Sequence, residues 1–164
     1  MLGGQRGDQG EGGEVRKEKT LLRATPKESK GSLGVAEGSN KIVTGQMRVL
    51  AHTTEEYYGI RLDCKHKLMP WLVRHSSWCR NKFQVGKDGR TAHRRLYGKD
   101  YSHGTLQFAE ICIGKLKAKQ LKDAKLDSRG VRGVWVGRSD DNNEHILLTP
   151  LGVKTCRTVT RVPR

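Results

Sequence analysis

The hydrophobic period of this chain changes once, and that change limits its fold more than any other feature. Between Val35 and Phe83 the apolar residues recur at spacings of three and four; from Phe108 onward they alternate or run in short β-branched blocks. The first spacing lines one face of an α-helix and the second lines one face of a strand. The chain is therefore expected to be α+β, with helices first and a small antiparallel β-meander after them.

Val43, Met47, Leu50, Thr54 and Tyr57/Tyr58 share one helical face, which predicts a helix from about Val35 to Tyr58, closed by Gly59. Gly45 weakens it by about 1 kcal/mol relative to alanine. "IRLDCKHKLM" is a connector. A second helix is expected to start near Pro70, with Trp71, Leu72, His75, Trp78, Cys79 and Phe83 as a continuous apolar stripe. "VGKDGRT" is a turn, and Thr91 caps a short third helix, "AHRRLY", ended by Gly98. "FAEICIGKL", "VRGVWVG", "HILLT" and "VKTCRTVTRV" then predict three or four short strands, with Trp135 in the core of the small sheet. Residues 1–31, rich in glycine and charge, are expected to be a disordered tail, because they bury too little apolar surface to offset ordering entropy. Residues 32–100 form the helical segment and 105–164 a small basic β-module.

The formal net charge is +15, with 32 lysines and arginines among 164 residues. The first 37 residues are nearly neutral, so the excess lies beyond them. That balance favours a polyanionic partner, DNA or RNA, since neutralising phosphates releases counterions. The densest cationic run is Lys115, Lys117, Lys119, Lys122, Lys125, Arg129 and Arg132. Arg94 and Arg95, beside His93 and Tyr97, form a second candidate phosphate contact. The four cysteines, Cys64, Cys79, Cys112 and Cys156, show neither a C-x-x-C nor a disulfide pattern, which fits a reducing compartment. No stretch approaches a membrane span and none reads as a signal peptide, so the chain is expected to be intracellular, and nuclear if it is expressed. Cys64, His66, His75 and Cys79 form a possible zinc set, C-x-H-x8-H-x3-C. His75 and Cys79 also lie on the apolar stripe with Trp71 and Trp78, where core packing accounts for them.

Four segments, in order, resemble the integrase region of copia-type retrotransposons. "GVAEGSNKIVTGQMRVL" resembles the helix that carries the catalytic glutamate, and Glu37 matches that glutamate. "LMPWLVRHSSWCRNKF" looks like the helix that follows. "DGRTAHRRLYGKDY" is similar to a Thr-Pro-x-Glu-x-x-x-Gly-Lys motif, with Ala92 and Arg94 in place of its Pro and Glu. "KLDSRGVRGVWVGRSDDNNEHILLTPLGVKTCRTVTRV" looks like the β-module after the core. The resemblance covers residues 32–163. It implies the C-terminal edge of an RNase H-like core, whose parent site holds two Mg²⁺ ions on two aspartates and the glutamate for DNA cleavage and strand transfer. Both aspartates would fall at or before Met1, and Asp8 is too close to Glu37 to be one of them. The resemblance thus implies a truncated copy that binds nucleic acid, holds no Mg²⁺ tightly and is not catalytic alone. Glu37 could be a metal ligand only with partners from elsewhere. The helices, lacking the parent sheet, are expected to expose their apolar faces, to pack on each other or to self-associate. The zinc order also differs from the integrase N-terminal motif, in which two histidines precede two cysteines. The alternatives are a non-enzymatic basic module for RNA or an acidic protein surface, and a residual metal-dependent nuclease.

Overall fold

The computed structural model describes residues 34–117 and 129–163. The expected tail, and with it Lys119, Lys122 and Lys125, lies outside the described residues. Three helices come first among them, α1 (Gly34–Tyr58), α2 (Met69–Phe83) and α3 (Ala92–Tyr97). Five strands follow, β1 (Ile111–Lys115), β2 (Gly130–Arg138), β3 (His145–Thr149), β4 (Gly152–Cys156) and β5 (Val159–Arg161). The chain divides into two compact units, Met1–Gly38 and Ser39–Arg164. Of the first, only the opening turn of α1 is described; the packing and the surfaces belong to the second.

The helices form where the periodicity places them. On α1, Val43, Met47, Leu50, Thr54 and Tyr58 are buried or half-buried, while Tyr57 points outward and is 49% exposed. Pro70 sits in the first turn of α2, where its missing N–H costs no helical hydrogen bond. Leu72, His75, Ser76 and Trp78 are the buried face of α2, whereas Phe83 at its end is half exposed. Thr91 caps α3 by accepting from Arg94 N at 3.0 Å, and Gly98 in the left-handed region (φ 74°) ends it.

The sheet order is β4-β3-β2-β1-β5, with every pairing antiparallel. This differs from a simple three- or four-strand meander. The last apolar run breaks after Cys156, and β5 crosses to pair with β1, Cys112 opposite Arg161 and Gly114 opposite Val159. The sheet curls as a result, bringing β4 over β1. Gly114 makes that approach possible: a Cβ there would collide with Leu147 Cδ1 and lie 2.6 Å from Cys156 Sγ.

Both faces of the sheet are covered near its middle. Cys112, Trp135, Leu147 and Cys156 pack inside the curl. On the other face Val136 and Ile146 join Leu72 of α2, Phe108 and Ala109, with Met47, Leu50, Ala51 and Tyr58 of α1 packed around them. Alternation along β2 sends Trp135 into the inner core and Val136 into the outer one, and a bulge between Trp135 and Gly137 leaves Val136 without a partner on β3. The helices therefore find their apolar cover on this sheet. The expectation is of apolar faces partly exposed or packed on each other; part of each face packs instead on β2 and β3, while Ile42, Val49, Val73 and Phe83 stay exposed.

Two glycines should respond oppositely to the same change. Gly114→Ala is expected to lower the unfolding free energy by about 1–3 kcal/mol, as overpacking does. Gly45→Ala, in the interior of α1 with nothing within 4 Å of the added carbon, should raise it by about 0.5–1 kcal/mol. Urea unfolding of both variants checks this, and equal signs would contradict the packing described.

Candidate nucleic-acid interface

The helix layer covers only one end of the outward sheet face. Ile111 of β1, opposite Val134 of β2, is at the covered end. Two residues further along β1 the side chains alternate in and out, with Gly114 buried and Ile113 and Lys115 exposed. Opposite Ile113 stand Arg132 on β2 and Thr160 on β5. Ile113, Lys115, Arg129, Gly130, Thr158 and Thr160 line a shallow groove on this open end. Lys115, Arg129 and Arg132 are exposed, and among the described residues none of them has a carboxylate partner. Ammonium, guanidinium and threonine hydroxyl groups are the donors that contact phosphate oxygens, and an arginine fork does so with two parallel bonds.

The other basic residues singled out from the sequence are differently engaged. Arg94 Nη1 pairs with Asp100 Oδ2 at 3.2 Å. Arg95 Nε donates to Asp88 Oδ2 at 2.9 Å, its Nη2 donates to Oδ1, and these bonds hold the Asp88 carboxyl well below the usual carboxylate range. Lys117 Nζ lies 2.6 Å from Glu144 Oε1, with Arg157 Nε at 3.6 Å on the same oxygen. Glu144 is buried, and the Lys117 hydrogen bond is the main cause that draws its pKa down. The structure thus sets Lys115 and Arg132 on one face of the β1–β2 pair, with Arg129, just before β2, lining the same groove as Lys115, while Arg94 and Arg95 sit apart on α3 with acids of their own.

Glu37 is exposed in the first turn of α1, and among the described residues no group of three or more His, Cys, Asp or Glu side chains could hold a metal. A single carboxylate does not fit a two-ion Mg²⁺ site, which needs several oxygen ligands. The same finding leaves Cys64, His66, His75 and Cys79 ungathered: Cys64 is exposed in the connector and His66 accepts from Leu68 N at 3.2 Å. His75 and Cys79 do touch, Nε2 to Sγ at 3.3 Å. Burial, then Arg74, pulls the imidazole pKa down to about 4, and burial pushes the thiol up to about 11. Both are neutral at pH 7. A nucleophilic cysteine needs the opposite, a thiol pKa lowered toward a thiolate.

Several buried polar groups are not legible in the sequence. His145 accepts from Trp135 Nε1 at 3.0 Å inside the curl. Arg138, only 8% exposed, donates to the carbonyls of Asn143 at 2.7 Å and Gly104 at 2.6 Å, tying the segment before β1 to the β2–β3 turn. Tyr101 donates to Asn143 Oδ1 at 2.7 Å beside it. Charged and aromatic residues next to a predicted turn give no sign that they point inward. Among the described residues no helix is long and apolar enough to cross a membrane. No family model, curated protein or solved structure matches the chain.

His75 and His145 make stability depend on pH. Burial is the main cause for both, and each pKa falls from 6.5 to about 4. The unfolded chain therefore binds protons that the folded chain refuses between these values. The stability they contribute is complete above about pH 6.5 and is lost as pH falls toward 4. A tenfold difference in proton affinity corresponds to about 1.4 kcal/mol, so the loss from the two histidines by pH 4 reaches several kcal/mol. Urea midpoints measured from pH 7 to pH 4 should fall across this window. His145→Asn, which keeps an acceptor near Nδ1, should remove one of the two contributions.

Proposed function

We propose that this chain binds nucleic acid through the phosphate backbone, as an integrase-derived remnant of a retrotransposon polyprotein that is not catalytic alone. The observation that carries this is the set of three exposed cations, Lys115, Arg129 and Arg132, without carboxylate partners at the open end of the β1–β2–β5 face. The chain between Lys115 and Arg129 adds Lys119, Lys122 and Lys125 in sequence. The integrase origin is supported by the order of the four sequence segments, and α1 with α2 would descend from the C-terminal edge of an RNase H-like core. In such a parent Glu37 would be a metal ligand; here no group of three or more His, Cys, Asp or Glu side chains forms a metal site among the described residues.

A duplex-DNA titration across salt tests this. Affinity should fall steeply as salt rises, with Mg²⁺ acting only through ionic strength. Replacing Lys115, Arg129 and Arg132 together by alanine should reduce the slope of log affinity against log salt by about 2.7, since each lost phosphate contact removes about 0.9. Arg94→Ala with Arg95→Ala should leave the slope nearly unchanged, because those cations already have acidic partners. No duplex binding at low salt would sink this reading and leave a protein-binding module, and cleavage that needs Mg²⁺ and dies with Glu37→Gln would point to a working metal site.

A further inference from the structure

A second surface differs in chemistry from the cationic sheet face. Between the end of α2 and α3 lies an open cleft of about 310 Å³, at the small end of the range that ligand-sized groups fill. Its walls include Trp78, Asn81, Lys82, His93, Tyr97 and Asp140. The aromatic residues form one connected cluster. The His93 and Tyr97 ring centroids are 4.7 Å apart, His93 and Tyr101 are 5.4 Å apart, and Trp78 meets Tyr101 edge to face at 5.3 Å. Lys82 Nζ stands 5.6 Å from the centre of the Tyr97 ring and 5.2 Å from that of Tyr101.

Packing explains Trp78 and Tyr101, which are buried or half-buried. It does not explain Tyr97, which is 57% exposed, or its neighbour Leu96, which is 75% exposed. Trp78 is 4% exposed and lines the cleft. The rim adds groups suited to a heteroaromatic edge: the Asn81 amide both donates and accepts, and the Asp140 carboxylate, held by Arg74 at 3.1 Å, keeps a free acceptor side. Lys82 places one positive charge beside the rings.

We propose that this cleft takes an unpaired nucleobase of a single-stranded nucleic acid, stacked on Tyr97 as the Lys82 ammonium leaves the ring for the adjoining phosphate; the assignment rests on the chain's being a nucleic-acid binder. A tyrosine ring more than half exposed, a cation over it and hydrogen-bonding groups at the rim together suit a base better than an aliphatic side chain, which would leave the amide and carboxylate unused. The net charge of +15 favours the strand that carries it. Duplex binding through Lys115, Arg129 and Arg132 needs no base to leave its stack, so the two surfaces make separable demands.

The test compares a short oligo(dA) strand with an abasic strand of the same length and charge, bound to the full chain at fixed salt. The base-bearing strand should bind about tenfold more tightly, the scale of one aromatic stacking contact. Tyr97→Ala should abolish that difference, and Tyr97→Phe, which keeps the ring, should retain it; thermal melting confirms that both variants fold. In the variant lacking Lys115, Arg129 and Arg132 both strands should weaken while the preference for bases persists. Equal binding of the two strands, or a preference that survives Tyr97→Ala, would overturn the base site and leave the phosphate surface standing. Binding of neither strand would overturn both.

Discussion

Trp135 joins the parts of this molecule that would otherwise be independent. Its ring is fully buried in the curl with Cys112, Leu147 and Cys156, and its indole N–H is held by His145 of the next strand. Its backbone bonds to the turn before β1, donating to Glu110 O at 2.8 Å and accepting from Ala109 N at 2.9 Å. Its ring also meets His75 of α2 edge to face at 5.3 Å. One residue therefore contacts the inner core, the neighbouring strand, the pre-strand turn and the helix layer. A large aromatic with a polar handle suits such a position, because the N–H needs a partner once buried and the ring fills the rest.

Alternation along β2 already turns Trp135 and Val136 to opposite faces; the bulge resets the pairing after them, so that Gly137 rather than Val136 stands opposite Ile146. Val136 packs under Leu72, and Gly137 lies where any side chain would touch His75 and Arg74. The chain can then end β2 on Arg138, whose two carbonyl contacts fix the β2–β3 turn against the segment before β1. α1 is anchored at its far end through Tyr58, whose hydroxyl donates to Ala109 O, on the turn that Trp135 also holds. The helices are thus seated by contacts to a few residues on either side of Trp135.

Much of this arrangement follows from local rules. The stripe on α1, the proline in the first turn of α2, the Thr91 cap and the Gly98 stop depend only on neighbours within a turn, so the sequence displays them. The break between β4 and β5 does not, because "VKTCRTVTRV" is rich in β-branched residues throughout and only the pairing of β5 with β1 requires the interruption. The same limit applies to the site. The cationic run between β1 and β2 is plain in the sequence, but that Lys117 turns to Glu144, 27 residues later, while Lys115 stays open, is a tertiary fact. His75 is visible in the sequence as part of an apolar stripe; its ring partner 60 residues later, Trp135, is not.

The placement of acids explains which cations remain available. Among the described residues Asp88, Asp100, Asp140, Glu110 and Glu144 each sit beside an arginine or lysine. Glu144 is the most buried of these, and removing it would leave Lys117 and Arg157 close together with no carboxylate between them. Acids are therefore placed where cations crowd against folded structure, and among the described residues none pairs with Lys115, Arg129 or Arg132 at the far end of the outward sheet face. At physiological salt charges interact over about 8 Å, so a net charge of +15 spread across the whole chain matters less to a bound polyanion than three cations that share one short stretch of paired strands. The register that sets Arg132 opposite Ile113 and Lys115 opposite Gly130 holds these cations along one stretch of the sheet, and the same curl that buries Trp135 sets their neighbours. Fold and surface charge are in this sense one constraint: moving β1 by a residue would turn Lys115 inward and open the inner core together.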